Sequence, residues 1–187
     1  MASTKPSNTW LGISDAQGWE FVSSQTASAD SSIDFTGFEA GYDYEITVHG
    51  LRPATDNTTL YGRYGTGGTP TYQSSGYYYE NTASRNTSGG HFGEDTGAAF
   101  RLNGNYGIGN ATGEELAGIF TIINPGATDR THTMWMFSHE GASATSMSSG
   151  MGGGQRQTDE AVTAFRFLMN SGNIAEGKFS LYRRANA

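Results

Sequence analysis

Alternation of apolar and polar side chains over short stretches is the feature that most constrains the fold of this chain. In YDYEITVH (42–49), Tyr42, Tyr44, Ile46 and Val48 point to one face of an extended segment, and the residues between them point to the other. Turn-forming residues separate such stretches about every ten residues. A period of two with frequent turns predicts an all-β protein and argues against a helical one.

The strand-like stretches define the expected architecture. They indicate about nine or ten short antiparallel strands, and no internal repeat suggests a propeller or a solenoid. A length of 187 residues suits one domain, and the 27 glycines suit long loops. The predicted fold is therefore a single-domain β-sandwich of jelly-roll type with long glycine-rich loops. We expect residues 1–14 to form a polar N-terminal arm for docking and residues 15–187 to form the sandwich.

The C-terminal part contains the more specific predictions. Two stretches, 161–169 and 177–184, flank a short polar link, and we expect the second to return antiparallel to the first. The glycine- and serine-rich segment 141–157 has no periodicity, so it is interpreted as a loop. The side chains predicted to share a core across the terminal pair are Phe165, Phe167, Phe179 and Leu181.

Charge and cysteine content exclude several classes of protein. The formal net charge is −7 and the 11 basic residues are scattered, which argues against a nucleic-acid groove. The chain has no cysteine, so disulfide scaffolds and thiolate metal sites are excluded. We find no secretory signal and no apolar run long enough to insert into a membrane. Synthesis in a reducing cytoplasm is therefore expected.

No catalytic constellation stands out, and the prediction is a protein that is not an enzyme. A Gly-x-Ser-x-Gly elbow and a His-Glu-x-x-His motif are both missing from the sequence. His132 and His139 lie seven positions apart on one predicted strand, so they point to opposite faces. No cofactor is expected. PATDN (53–57) and HFGEDTG (91–97) are interpreted as acid-rich turns. Calcium stays open because both are rich in oxygen ligands, although neither has the ligand spacing of a calcium loop.

A tyrosine cluster has two interpretations. Tyrosine rings stack on sugar faces, so exposed members of the cluster are candidate glycan contacts. Alternatively, alternate tyrosines fill the core or an oligomer contact, and the alternation predicts that at least one face of the run is buried. The candidate residues are Tyr72, Tyr77, Tyr78 and Tyr79.

Three stretches are apolar on both faces, namely 115–123, 131–139 and 161–169. A two-layer sandwich needs only one apolar face on each sheet, so the surplus predicts an interface. A homo-oligomer is expected, with a trimer preferred over a dimer. The N-terminal arm contributes Trp10 as one further candidate interface residue. The candidate interface residues are Trp10, Ile119, Ile123, Met134, Met136 and Leu168.

Two blocks of the sequence resemble a known group of proteins. IDFTGFEAGYDYEITVHGLRPATDNTTLYGRYGTGG (33–68) and AVTAFRFLMNSGNIAEGKFSLYR (161–183) are similar to blocks of bacteriophage virion structural proteins, and ELAGIFTIINPGA (115–127) is more weakly similar. These proteins are described as tail-fibre, head-fibre or minor structural proteins. The resemblance implies a small β-sandwich on the outside of the particle, in contact with sister copies and other virion proteins.

The resemblance leads to the following expectations about function. The chain is expected to be a capsid- or tail-associated decoration, fibre or adaptor module, located in the virion after synthesis in the bacterial host cytoplasm. The alternative is a carbohydrate-binding module of a phage fibre that recognises a host surface polysaccharide. A depolymerase with an acid pair hidden in the sequence is the third and weakest interpretation.

Overall fold

A computed structural model describes residues 18–86, 88–141 and 146–186. All elements of regular secondary structure in these ranges are β-strands. The predicted all-β class is therefore confirmed, although the strands number thirteen and exceed the predicted count. They are β1 (Glu20–Asp30), β2 (Ile33–Thr36), β3 (Tyr42–Pro53), β4 (Leu60–Thr66), β5 (Thr71–Tyr72), β6 (Tyr77–Arg85), β7 (Ser88–Gly97), β8 (Phe100–Arg101), β9 (Leu116–Ile123), β10 (His132–Glu140), β11 (Met147–Arg156), β12 (Val162–Met169) and β13 (Ile174–Ala185).

The strands form two antiparallel sheets. The large sheet has eight strands in the order β1-β13-β3-β9-β10-β11-β6-β7. The small sheet has the order β2-β12-β4-β5, with β8 paired to β4. Both sheets contribute to one hydrophobic core, so the predicted β-sandwich is confirmed, while its jelly-roll type stays a prediction.

Aromatic rings fill the space between the sheets. Phe120 of the large sheet and Phe165 of the small sheet have ring centroids 4.3 Å apart. Phe167 and Phe179 meet across the same space at 5.2 Å. The four core residues predicted from the C-terminal stretches are all buried. Each such side chain stabilises the fold by roughly 1.5–3 kcal/mol through its burial.

The predicted pairing of the two C-terminal stretches is wrong. β12 pairs with β2 and β4 in the small sheet, whereas β13 pairs with β1 and β3 in the large sheet. The link between them therefore crosses from one layer to the other. The shared core was predicted correctly because facing sheets, like paired strands, bring apolar side chains together.

The interpretation of residues 141–157 as a loop is also wrong over most of its length, since β11 lies between β10 and β6. Its glycines hide the alternation that a strand normally shows. A Cβ on Gly152 would lie 2.5 Å from Cζ2 of Trp135, and one on Gly154 would lie 2.6 Å from Cβ of Tyr79. The large side chains of the neighbouring strands thus occupy the space above the β11 backbone.

The acidic segment 91–97 forms part of β7 and is not the turn that the sequence suggested. β7 is an edge strand whose residues are mostly exposed, so polar and glycine residues are tolerated on both of its faces. Residues 1–14, the predicted docking arm, lie outside the described residues. The proposed boundary between arm and sandwich therefore stays a prediction.

Candidate functional site

In the middle of its outer face, the large sheet carries a group of five large apolar side chains that remain substantially exposed. Their exposed fractions are 38–39% for the two isoleucines and 54–61% for the three methionines. Scattered single hydrophobic residues are normal on a protein surface, whereas a contiguous group marks an interaction site. We call this group the methionine patch, and its members are Ile119, Ile123, Met134, Met136 and Met151.

Strand register makes the patch contiguous. Met136 on β10 lies directly opposite Ile119 on β9 and, on its other side, directly opposite Met151 on β11. Directly opposed side chains have Cβ atoms about 4.5–5.5 Å apart, so these three form an unbroken row. Met134 lies two positions before Met136 on the same face of β10. The patch thus spans three neighbouring strands in the middle of the large sheet.

A groove of about 510 Å³ lies within the patch. Ile119, Met134 and Met136 form one of its walls, and Glu80 and Thr82 of β6 form the other. β11 runs between these walls, and it has no side chain at one outward-facing position, Gly153. Gly153 is opposite both Met134 and Glu80.

Gly153 faces the outer surface of the sheet, whereas its neighbour Gly152 faces the core. An added Cβ on Gly153 would come no closer than 3.9 Å to the Met134 side chain, so this outward position has free space. Gly152 points the other way, toward the rings of the core, where Trp135 packs against it. The two consecutive glycines therefore differ in their surroundings. Gly152 leaves space for the Trp135 ring in the core, and Gly153 leaves space at the surface.

The groove is apolar with one acidic residue at its edge. Glu80 is the one ionisable side chain among the described residues that line it. Glu45 lies on the same outer face, in the row of paired residues that leads through Thr121 to Met134. Desolvation by burial raises the pKa of Glu45, and Arg184 nearby opposes that shift. An occupant of the groove must therefore be largely apolar and gains from a positive charge.

The four candidate tyrosines do not form one site. Tyr77 and Tyr79 are buried in the core, and burial raises the pKa of both phenols. The Tyr77 hydroxyl accepts a hydrogen bond from the Tyr64 amide at 2.8 Å. Tyr78 is 44% exposed and lies on the outer face of the large sheet, opposite Gln155. Of the run 77–79, only Tyr78 is available to a ligand in this structure.

Tyr72 lies on the small sheet and packs against an ion pair. The Arg166 guanidinium lies 3.7 Å from the centroid of the Tyr72 ring. The same guanidinium donates two hydrogen bonds to the Asp34 carboxylate, at 2.8 Å and 2.6 Å. Burial, followed by the Asp34 charge, raises the pKa of Tyr72 to about 12. One face of the Tyr72 ring is therefore already covered by Arg166.

Most of the candidate interface residues lie together. Ile119, Ile123, Met134 and Met136 belong to the patch, but Leu168 lies on the small sheet, half-buried and opposite Tyr61. Trp10 lies outside the described residues. Sequence reasoning missed Met151 because its segment was interpreted as a loop. Its signal was the spacing of Met147 and Met151, which share one face of a strand because they are four positions apart.

The histidines are not grouped with other ligand residues. His132 is exposed and His139 is 2% exposed, as expected for opposite faces of β10. The Nε2 atom of His139 contacts the carbonyl oxygen of Tyr106 at 3.1 Å, and desolvation lowers the pKa of the imidazole to about 4. Within residues 18–86, 88–141 and 146–186, no three His, Asp or Glu side chains are placed to hold a metal ion.

The part of the chain that the structure describes contains no helix that is long and apolar enough to cross a membrane. Comparisons with protein-family models, with curated proteins and with solved structures find no match. The methionine patch, with its groove, is thus the strongest candidate for a functional surface among the described residues.

Proposed function

We propose that this protein is a non-enzymatic structural component of a bacteriophage virion. It is a capsid- or tail-associated decoration, fibre or adaptor module on the particle exterior. The observation that carries the proposal is the methionine patch, an exposed apolar surface in the middle of the eight-stranded sheet. The resemblance of residues 33–68 and 161–183 to virion structural proteins supports the same function.

The mechanism is geometric. Interlocked aromatic rings make the sandwich rigid, so it presents the patch with little loss of conformational freedom on binding. Covering each patch side chain fully is worth roughly 1.5–3 kcal/mol, reduced here because each is already partly buried. The partners are sister copies, with a trimer preferred, and other virion proteins. Cyclic symmetry is the usual way for identical copies to cover such a surface.

Particle composition tests the proposal. Virions are purified by repeated gradient centrifugation from an infection in which this gene is expressed, and their proteins are identified by mass spectrometry. We expect peptides of this chain at a constant ratio to the major capsid protein through each round. Recovery of the chain only from the soluble lysate, with none on the particles, would contradict a virion function.

Glycan recognition is the second candidate, and one observation favours it. Tyr78 is exposed on the same face of β6 as Glu80, which lines the groove, so an aromatic ring and a carboxylate lie side by side. A glycan array tests this function. We expect Tyr78→Ala to abolish any binding, whereas Tyr72→Ala, on the other sheet, leaves it unchanged. Equal binding by both variants would exclude the Tyr78 surface as the glycan site.

A further inference from the structure

We infer that the N-terminal arm, residues 1–14, is the segment that covers the methionine patch, with the Trp10 ring in the groove. The occupant is thus a part of this chain, supplied by the same copy or by a neighbouring one. The inference stands apart from the proposed virion function, because it depends only on the patch, on where the described chain begins and on the composition of the arm.

The first step is the point at which the chain leaves the described part of the sandwich. The Arg184 guanidinium lies 4.9 Å from the centroid of the Trp19 ring and pairs with the Asp43 carboxylate at 3.1 Å. Arg184 follows Tyr182 by two positions on β13, and Tyr182 is opposite Glu45 on the outer face. Trp19 therefore lies against the outer face of the large sheet, the face that carries the patch.

Reach is the second step. β13, which holds Arg184, is separated from β10 by β3 and β9, and three strand spacings amount to about 14 Å. Trp10 precedes Trp19 by nine residues, which span about 30 Å when extended. The arm is thus long enough to bring Trp10 to the groove of its own copy, and its length also permits contact with an adjacent copy.

The third step is chemical complementarity. Between residues 3 and 14 the arm is polar except for the cluster of Trp10, Leu11 and Ile13, which offers a compact apolar group to an apolar groove. Methionine sulfur makes favourable contacts with aromatic rings, and three methionines surround this groove. Lys5 supplies a positive charge that suits the acidic edge formed by Glu80.

Methyl NMR of the full-length chain tests the inference. Methionine methyl groups are labelled with ¹³C and assigned through Met→Leu variants. An indole ring in the groove displaces the methyl signals of Met134, Met136 and Met151 upfield and gives nuclear Overhauser contacts between them and the Trp10 ring. We expect Trp10→Ala to abolish both effects and Trp10→Phe, which retains an aromatic ring, to preserve part of the displacement.

Two other methionines are internal controls. Met169 is buried in the core, and Met147 lies outside the residues that line the groove, so neither signal is expected to move in either variant. A constant Met169 signal also shows that the variant is folded. Patch methyl signals that do not change in a folded Trp10→Ala variant, or a wild-type chain without Trp10–methionine contacts, would overturn the inference.

Mixing identifies the copy that supplies the arm. Labelled Trp10→Ala chains, whose own arm lacks the ring, are unfolded together with unlabelled wild-type chains and refolded as a mixture, so that both kinds of chain enter the same assemblies. Return of the upfield displacement on the labelled chains shows that the arm comes from a neighbouring copy. Without such a return, the wild-type displacement comes from the arm of the same chain. Either result supports the inference, and neither bears on whether the protein is found in virions.

Discussion

Adjacent glycines on β11 offer a direct test of how the sandwich is packed. Gly152 points inward, where an added Cβ would lie 2.5 Å from Cζ2 of Trp135 and 2.6 Å from Cβ of Asn81. Favourable carbon contacts are about 3.5–4.0 Å, so alanine at position 152 overlaps its neighbours by about 1 Å. Gly153 points outward, where the Met134 side chain is 3.9 Å away from an added Cβ.

Both alanine variants reduce the entropy of the unfolded chain, but Gly152→Ala alone overpacks the core. Replacing glycine by alanine reduces the entropy of the unfolded chain and stabilises by about 0.4–1 kcal/mol where the backbone permits it. This gain is common to both positions, so it cancels in the comparison. Overpacking in a dense core costs about 1–3 kcal/mol. We therefore expect Gly152→Ala to be less stable than Gly153→Ala by about 1–3 kcal/mol.

Urea denaturation followed by circular dichroism measures this difference. In thermal scans it corresponds to roughly 2–4 °C for each kcal/mol in a chain of this size. A smaller ring should relieve the overlap, so the difference should shrink in a Trp135→Phe background. A Gly152→Ala variant as stable as Gly153→Ala would refute the placement of the Trp135 ring over the β11 backbone.

Three further predictions concern charge and exposure. Met136→Glu should shift an oligomer of this protein toward monomer by light scattering, whereas Thr71→Glu, at an exposed position of the small sheet, should not. A monomeric wild type would contradict the expected homo-oligomer. The pKa of buried His139 is lowered from 6.5 to about 4, so the imidazole is protonated at a lower pH in the folded state than in the unfolded state. Stability should therefore fall from pH 6.5 toward pH 4 by roughly 3 kcal/mol, and His139→Gln should remove most of that dependence in acid titrations. Asp34→Asn removes a charge that raises the pKa of Tyr72, so the phenol should ionise at lower pH in an ultraviolet titration, and an unchanged midpoint would argue against their contact.

Strands with side chains at every position were predictable from the sequence. Apolar–polar alternation in 42–49 and the run 131–139, apolar on both faces, indicated β3 and β10, which the structure places at Tyr42–Pro53 and His132–Glu140. β11 was not predictable in this way. Its inward-facing positions include Gly152 and Gly154, because the volume that a side chain would fill belongs to rings from neighbouring strands. The apolar–polar alternation of a sequence depends on side chains, so it does not reveal a strand in which glycine occupies the inward-facing positions.

Strand partners were less accessible to sequence reasoning than the strands themselves. The short link between β12 and β13 suits a hairpin as well as a crossing between layers, and both arrangements bury Phe167 and Phe179. The same limit applies to the patch. Excess apolar residues on 115–123 and 131–139 indicated four of its members, but the groove depends on which strand lies beside β10, and the sequence does not contain that information directly.

The position of β13 between β1 and β3 has a consequence for biosynthesis. Glu20 and Arg183, which are paired across β1 and β13, are 163 positions apart in the chain. A ribosome adds about 5–20 residues each second, so roughly 6–25 s pass between the synthesis of β3 and the synthesis of β13. Until then β1 and β3 each lack the neighbour that joins them, and their backbone amides and carbonyls remain open to other nascent chains. Assembly of this part of the large sheet therefore depends on the synthesis of β13, and slower elongation or crowded polysomes should lower the yield of folded protein.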